Sequence, residues 1–259
     1  MEKLKLYNLL NDFFDKVFII TLKNSHERHA LFKNLFEGLD YEIHWGVIGK
    51  ELDREKLNDN EIINTEKQIE LAGQALSMGE IGCAFSHLNV YQTILKRGYK
   101  RVLIFEDDIR LSNENLKNLH GTLKLSLNEL PDDWEFLYLG YANNNNKVTI
   151  PVLFRAWLAY PFFSLIDYQR FNPAKFRRRY PRKYSPNLQR AGYHYRIHSY
   201  GITPAGAKKI LEFQSPILRA ADNAISEMCS IGSLKAFRLK KRIFYQNREL
   251  DTTIKGRYL

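Results

Sequence analysis

The sequence predicts an α/β protein, a central sheet with helices on both faces, and two observations carry that prediction. The first is the order near the start of the chain. An apolar run at Val17–Leu22 is followed by a helical pattern that ends at Gly38, and a second run spans Tyr41–Trp45. Strand, helix and strand at this spacing open a βαβ unit. The second is Arg101-Val102-Leu103-Ile104-Phe105-Glu106-Asp107-Asp108, a short apolar run that ends abruptly in acid. Such a run reads as a buried strand, and its acidic end as the carboxyl tip of a central strand, where ligand crevices open in α/β sheets.

Each element has its own signal. After Val17–Leu22, Asn24 and Ser25 supply a turn and an N-cap for a helix to about Glu37, with Leu31, Leu35 and Phe36 on its inner face. Residues 50 to 75 are charged and poor in β-formers, and read as helix and loop, either closing over a ligand or simply connecting. Ser77-Met78-Gly79-Glu80 fits a capping box. Ile81, Ala84, Phe85, Leu88, Tyr91 and Leu95 then mark one apolar helix face, and Gly98 ends it. Asn115–Leu130 carries leucines at helical spacing, and Trp134–Leu139 is a further strand closed by Gly140. Asn143–Asn146 form a polar loop. Tyr195–Ile202 can return to the sheet, Thr203-Pro204 opens a helix with proline at N1, and Ser233–Tyr245 alternates enough for strands.

Three adjacent carboxylates repel one another and are costly to desolvate unpartnered. A divalent cation is an economical partner, and oxygen ligands suit Mg²⁺ or Mn²⁺. The competing reading is a strand running into a solvated acidic turn. In an extended strand end, residues two apart point the same way. Glu106 and Asp108 are therefore the candidate ligands, with Asp107 orienting. His87, inside the capped helix, reads as a hydrogen-bonded structural histidine. Arg28 is either a first-turn surface charge or, with its planar fork, the partner of a diphosphate. Asp222 heads the apolar-spaced segment Ala224, Ile225, Met228, and on its residues alone reads as an N-cap that needs no catalytic role.

At these residues a family becomes recognisable. Met78-Gly79-Glu80-Ile81-Gly82-Cys83-Ala84-Phe85-Ser86-His87-Leu88, followed by Leu103-Ile104-Phe105-Glu106-Asp107-Asp108, resembles glycosyltransferase family 25, the lipopolysaccharide and lipooligosaccharide biosynthesis group that includes bacterial β-1,4-galactosyltransferases. Val17–Leu22 with Arg28 is similar to its first strand and donor loop, and Tyr200–Leu211 to a later strand–helix element. The resemblance covers about residues 15 to 247 and is thinnest from 141 to 192. It implies a GT-A-like nucleotide-sugar fold in a single domain, with 15–140 as the donor and metal half and 141–259 as the acceptor and membrane half. It implies an inverting transfer of a hexose, galactose first, from a UDP-sugar to a lipooligosaccharide core sugar. Thr21, Leu22, Asn24, Arg28 and Asp107 would hold the nucleotide side, Glu106 and Asp108 a Mn²⁺ or Mg²⁺ ion. The resemblance places an aspartate near Asp222, the candidate general base, with His198 and Glu227 in reserve.

Composition bounds the rest. The chain has 259 residues, 44% of them apolar, and a net charge of +10, which favours phosphate-rich partners. From residue 152 to 198, aromatic residues interleave with Arg170, Lys175, Arg177, Arg178, Arg179, Arg182, Lys183 and Arg190. Such a surface suits an anionic membrane or a sugar-phosphate acceptor, and less well a nucleic acid, for which no binding motif is present. Cys83 and Cys229 lack metal-ligand spacing and read as free thiols in a reducing compartment. Without a signal-peptide pattern or an apolar run of spanning length, the expectation is a cytoplasmic protein, peripheral on the inner membrane, with no nucleic-acid partner. The alternatives are a metal-dependent phosphoesterase or nuclease, which would need more scattered carboxylates and histidines, and a non-enzymatic nucleic-acid-binding module.

Overall fold

A computed structural model describes residues 1–142 and 173–247 together with positions 154 and 250. The strands and helices among the described residues run in chain order α1 (Glu2–Phe13), β1 (Lys16–Thr21), α2 (His26–Leu35), β2 (Glu42–Trp45), α3 (Arg54–Asp59), α4 (Thr65–Ala72), α5 (Met78–Arg97), β3 (Val102–Glu106), β4 (Ile109–Leu111) and α6 (Leu116–Asn128). Then follow β5 (Phe136–Gly140), α7 (Pro173–Arg178), β6 (Arg182–Lys183), β7 (Leu188–Arg190), β8 (Ser199–Ile202), α8 (Pro204–Phe213), α9 (Ala221–Ile231), β9 (Ala236–Leu239) and β10 (Phe244–Gln246). The aromatic positions from 157 to 171 and Asn143–Asn146 lie outside the described residues.

Eight strands form one mixed sheet in the order β2-β1-β3-β8-β5-β9-β7-β6. β2, β1 and β3 are mutually parallel, and so are β5 and β9. β8 runs antiparallel between β3 and β5. The chain moves from β1 through α2 to β2 on one side, then returns to β3 on the other side of β1. The strand order therefore reverses between β1 and β3, and a crevice opens at their carboxyl ends.

Both faces are covered, which is why β3 reads as a continuous apolar run rather than an alternating one. Phe18, Ile104, Phe136, Tyr138 and Tyr200 face a core completed by α5, α8 and α9. Val17, Ile19, Leu103, Phe105 and Leu137 face the opposite core, built with α1, α2 and α6.

The capping box of α5 forms as expected: Ser77 accepts from the Glu80 N–H, and the Glu80 carboxylate accepts from the Ser77 N–H. Gly98 ends this helix at φ 69°, a left-handed position that glycine adopts without a Cβ clash. Leu95 and Leu31, expected on inner faces, are exposed, because the buried faces of these helices run through their neighbours Ile94 and Phe32 instead. Residues 50 to 75 are mostly exposed and are anchored by buried Leu57, Ile63 and Gln68. Gln68 is fully buried, donates to the Ile217 carbonyl and accepts from the Leu76 N–H.

Candidate active site

The site grows from the pairing of β1 with β3. Their register sets Ile20 opposite Glu106, so the next residues, Thr21 at the end of β1 and Asp107 just beyond β3, lie side by side. Thr21 Oγ1 donates to Asp107 Oδ2 at 2.5 Å. Arg28, in the first turn of α2, reaches the other oxygen, Nη1 to Oδ1 at 2.6 Å. Asp107 is buried, and its charge is met by this ion pair. Burial alone would lower the Arg28 pKa, but the Asp107, Asp108 and Glu106 carboxylates carry it above its ordinary value.

Glu106 and Asp108 have different surroundings. Strand geometry ends at Glu106 and a turn begins at Asp107, so the expected two-residue alternation does not govern Asp108. Desolvation opposes the Glu106 charge. The His87 hydrogen bond, with the nearby His87, His198 and Arg28, outweighs it and holds the carboxyl below its usual range. His87 Nε2 lies 3.4 Å from Glu106 Oε1, and its Nδ1 lies 2.7 Å from the Tyr200 hydroxyl, which meets the Tyr91 hydroxyl at 2.8 Å. The histidine is thus a hydrogen-bonded buried residue, as its place on the helix suggests, and it stands directly beneath the acidic tip.

Asp108 is pushed up to about 7, by burial first and then by the Glu106 charge. Its Oδ2 accepts from Gln246 Nε2 at 2.7 Å. Its Oδ1 is buried with no hydrogen-bond partner among the described residues. An oxygen in that state fits a cation ligand, and Glu106 and Asp108 together could hold Mn²⁺ or Mg²⁺. Cys83 and His87 also come within 4.8 Å of Glu106, atom to atom, a softer donor set on the helix side of the tip. Burial pushes the Cys83 thiol well up, and Glu106, Asp222 and Asp108 push the same way. Cys83 thus stands close to the acidic tip and feels the Asp222 charge as well.

Asp222 does not cap α9. The N-cap is Ala220, and Asp222 sits inside the first turn, where a negative charge meets the positive end of the helix dipole. The capping alternative read from the sequence places the helix boundary too late. Asp222 Oδ2 accepts from the Arg196 N–H at 2.9 Å, and Oδ1 from the Asn223 N–H at 2.8 Å. Burial pushes its carboxyl above the ordinary range despite those bonds. Of the two reserves, His198 adjoins the tip of β3, where its carbonyl accepts from the Glu106 N–H at 3.0 Å. His198 is buried, and desolvation brings it down to about 4. Glu227 is paired with Lys175 at 2.7 Å. In the loop after β1, Leu22 accepts from Ser25 N–H and lies 2.9 Å from His29 Nε2, while Asn24 is exposed. Arg196, Gln246 and Cys83 join the site without a signal in the sequence that singles them out.

A mostly parallel sheet flanked by helices, with carboxylates at the point where its strand order reverses, defines a GT-A-like fold of the nucleotide-sugar type. The chain belongs to glycosyltransferase family 25: the family described as "Glycosyltransferase family 25 (LPS biosynthesis protein)" matches residues 14–225. The chain is 28% identical over 211 residues to the human "Inactive glycosyltransferase 25 family member 3", covering 78% of this chain and 29% of that protein. It is 33% identical over 130 residues to "Procollagen galactosyltransferase 1-A" of Xenopus laevis, covering 49% and 21%. The chain thus spans less than a third of the length of these curated relatives. A solved mannose-1-phosphate geranyltransferase from Thermus thermophilus aligns with a TM-score of 0.36 at 10% identity, over 88% of this chain and 59% of that one. The fold assignment rests on the sheet and not on that likeness.

Proposed function

We infer that the protein transfers a hexose, galactose first among candidates, from a UDP-sugar to a sugar hydroxyl of a lipooligosaccharide core, with inversion. The observation that carries this reading is the division of labour at the tip of β3. Asp107 is neutralised by Arg28, while Asp108 keeps a buried oxygen without a hydrogen-bond partner among the described residues. Family membership favours a transferase over the phosphoesterase and nucleic-acid-binding alternatives.

A divalent ion held by Glu106 and Asp108 would offset the charge that grows on the departing diphosphate. The loop at Thr21, Leu22 and Asn24 borders the crevice on the nucleotide side, and Asp107 holds Arg28 there as positive charge. Asp222 takes the proton of the acceptor hydroxyl as that oxygen attacks an oxocarbenium-like centre. Its raised pKa suits a group that must accept a proton near neutral pH.

Among the described residues no helix is long and apolar enough to cross a membrane. A peripheral position at the cytoplasmic side of the inner membrane fits the charge of residues 177 to 190. There Arg182 is held below its ordinary pKa by burial and then by Arg190, Arg178 and Arg177. Such crowding of like charge favours an anionic surface beside it.

The names of the relatives include both galactosyltransferases and inactive members, so turnover is the deciding measurement. Incubation with a panel of UDP-sugars, Mn²⁺ and a lipooligosaccharide acceptor should release UDP fastest with UDP-galactose. Absence of UDP release across the panel would overturn the transferase reading.

A further inference from the structure

We propose that Gln246 is a positioning residue that ties the acidic tip to Asp222 through Arg196. The inference rests on the metal-dependent transferase reading above. β10 pairs antiparallel with β4, setting Gln246 opposite Ile109 and so beside the turn that carries Asp108. Two bonds then fix that aspartate. The Asn247 N–H donates to the Asp108 carbonyl at 2.6 Å, and Gln246 Nε2 donates to Asp108 Oδ2 at 2.7 Å. The other end of the same amide accepts from Arg196 Nη1 at 2.6 Å. The Arg196 backbone N–H donates to Asp222 Oδ2 at 2.9 Å.

Residues from distant parts of the sequence thus form one chain of contacts, from the tip of β3 to the first turn of α9. The chemistry of the link is specific. An amide can donate to a carboxylate and accept from a guanidinium at the same time; a carboxylate at 246 would repel Asp108, and an amine would repel Arg196. Arg196 has φ 63°, a left-handed conformation that a residue with a Cβ adopts at a cost and that persists where surrounding contacts over-determine it. In that conformation its backbone serves Asp222 while its side chain serves Gln246. The link occupies Asp108 Oδ2 and leaves Oδ1 as the oxygen presented to a cation.

The test is Mn²⁺ affinity in the presence of UDP, read on the full chain by the electron paramagnetic resonance of free Mn²⁺, with no turnover required. Gln246→Met fills similar volume without the amide, and Gln246→Ala removes the side chain. Each should weaken Mn²⁺ binding about tenfold, the lower end for loss of a group that orients a ligand. Arg196→Gly suits the left-handed backbone and keeps the N–H to Asp222, but removes the guanidinium. It should weaken binding in the same direction, and the Gln246→Met/Arg196→Gly double variant should be no weaker than the worse single one, because the two groups act as one link. Tyr245→Ala is the control. Tyr245 is the neighbour in β10, stacked with Arg242 and Arg110, and its loss should leave the affinity close to the parent's. A parent that binds Mn²⁺ while the Gln246 variants match it would overturn this proposal and leave the transferase reading standing. A parent that binds no Mn²⁺ with UDP would overturn the metal reading and the proposal with it. Additive losses in the double variant would overturn the linkage.

Discussion

Asp108 sits where a negative charge is poorly accommodated, with Glu106 beside it and one oxygen buried without a hydrogen bond among the described residues, and its pKa of about 7 follows from that placement. A carboxyl raised in the folded state favours folding below its unfolded pKa, near 3.9, and that contribution is lost as pH rises through about 7. His198 works the other way. Lowered to about 4, it contributes stability above its unfolded pKa, about 6.5, that is lost as pH falls toward the folded value, so the parent's own profile mixes the two. The difference between parent and Asp108→Asn separates them. In metal-free buffer, Asp108→Asn should melt higher than the parent at about pH 8, and the gap should shrink toward about pH 5, by at most about 1.4 kcal/mol per pH unit. A gap independent of pH would show that Asp108 is not the strained charge. Adding Mn²⁺ at the alkaline end should stabilise the parent and not the variant. Asp222 poses a different question. Asn at 222 keeps an acceptor for one of the two backbone N–H groups it serves, so stability should change by only about 1 kcal/mol. As the base, its replacement should cost about 10²–10⁴ in turnover with donor affinity nearly unchanged. Turnover within a few-fold of the parent would return Asp222 to a structural role. The acidic tip is legible in the sequence because its residues are adjacent and follow a buried strand. Gln246 and Arg196 are not, because each looks like ordinary polar surface until β10 and the approach to β8 bring them to the tip.

Helix α5 is the most legible element, since its cap, apolar face and glycine stop are all local signals. What sequence periodicity does not supply is its depth. A Cβ placed on Gly82 would lie 2.7 Å from the Gly49 backbone nitrogen, and one on Gly49 would meet the Met78 carbonyl. The helix therefore rests directly on the 3-10 turn Gly49–Glu51, backbone against backbone. Gly82 and Ser86 lie on that side, and Ser86 Oγ accepts from the Val47 N–H at 2.8 Å. Gly82→Ala gains helix propensity yet should destabilise by about 1–3 kcal/mol through overpacking. Thermal unfolding would measure it, and an unchanged or raised melting temperature would refute the close-packing account. His87, which meets Glu106 at 3.4 Å, rides on the same helix, so a shift of its axis should also weaken Mn²⁺ binding. The antiparallel insertion of β8 between β3 and β5 is not readable, because a four-residue strand with both faces buried carries no direction. Helix α1 is hidden as well: Leu6, Tyr7 and Leu10 are fully buried, but the polar residues around them mask the stripe.

Across the whole molecule the two sides of the sheet differ in charge. The β2–β1–β3 side carries the acidic tip, whereas the opposite edge, β7 and β6, carries Arg182, Lys183 and Arg190, with Arg177 and Arg178 from α7 beside it. Arg178 donates to the Ile231 carbonyl at the end of α9, where a cation also meets the negative end of the helix dipole. Arg177, Arg179, Lys183 and Arg190 are exposed. Exposed Tyr184 stands at this edge with Arg190 over its ring, 5.3 Å from the centroid. A basic edge with aromatic residues in it suits an anionic bilayer, where each cation near the surface contributes about 1 kcal/mol and salt screens the attraction. Replacing Arg177, Arg178, Arg179 and Arg182 by Ser should reduce binding to vesicles containing an anionic phospholipid, and sedimentation with such vesicles measures it. The parent should lose binding steeply between low and physiological salt, and neutral vesicles should retain little of either protein. Arg177, Arg178 and Arg182 lie toward the β6 edge, whereas Arg179 stands over the Tyr193 ring beside Asn223. A variant at the first three alone should therefore keep UDP release with a soluble acceptor near the parental rate while transfer to acceptor embedded in vesicles falls. Vesicle binding that neither drops in the variant nor weakens with salt would remove the membrane role from this edge.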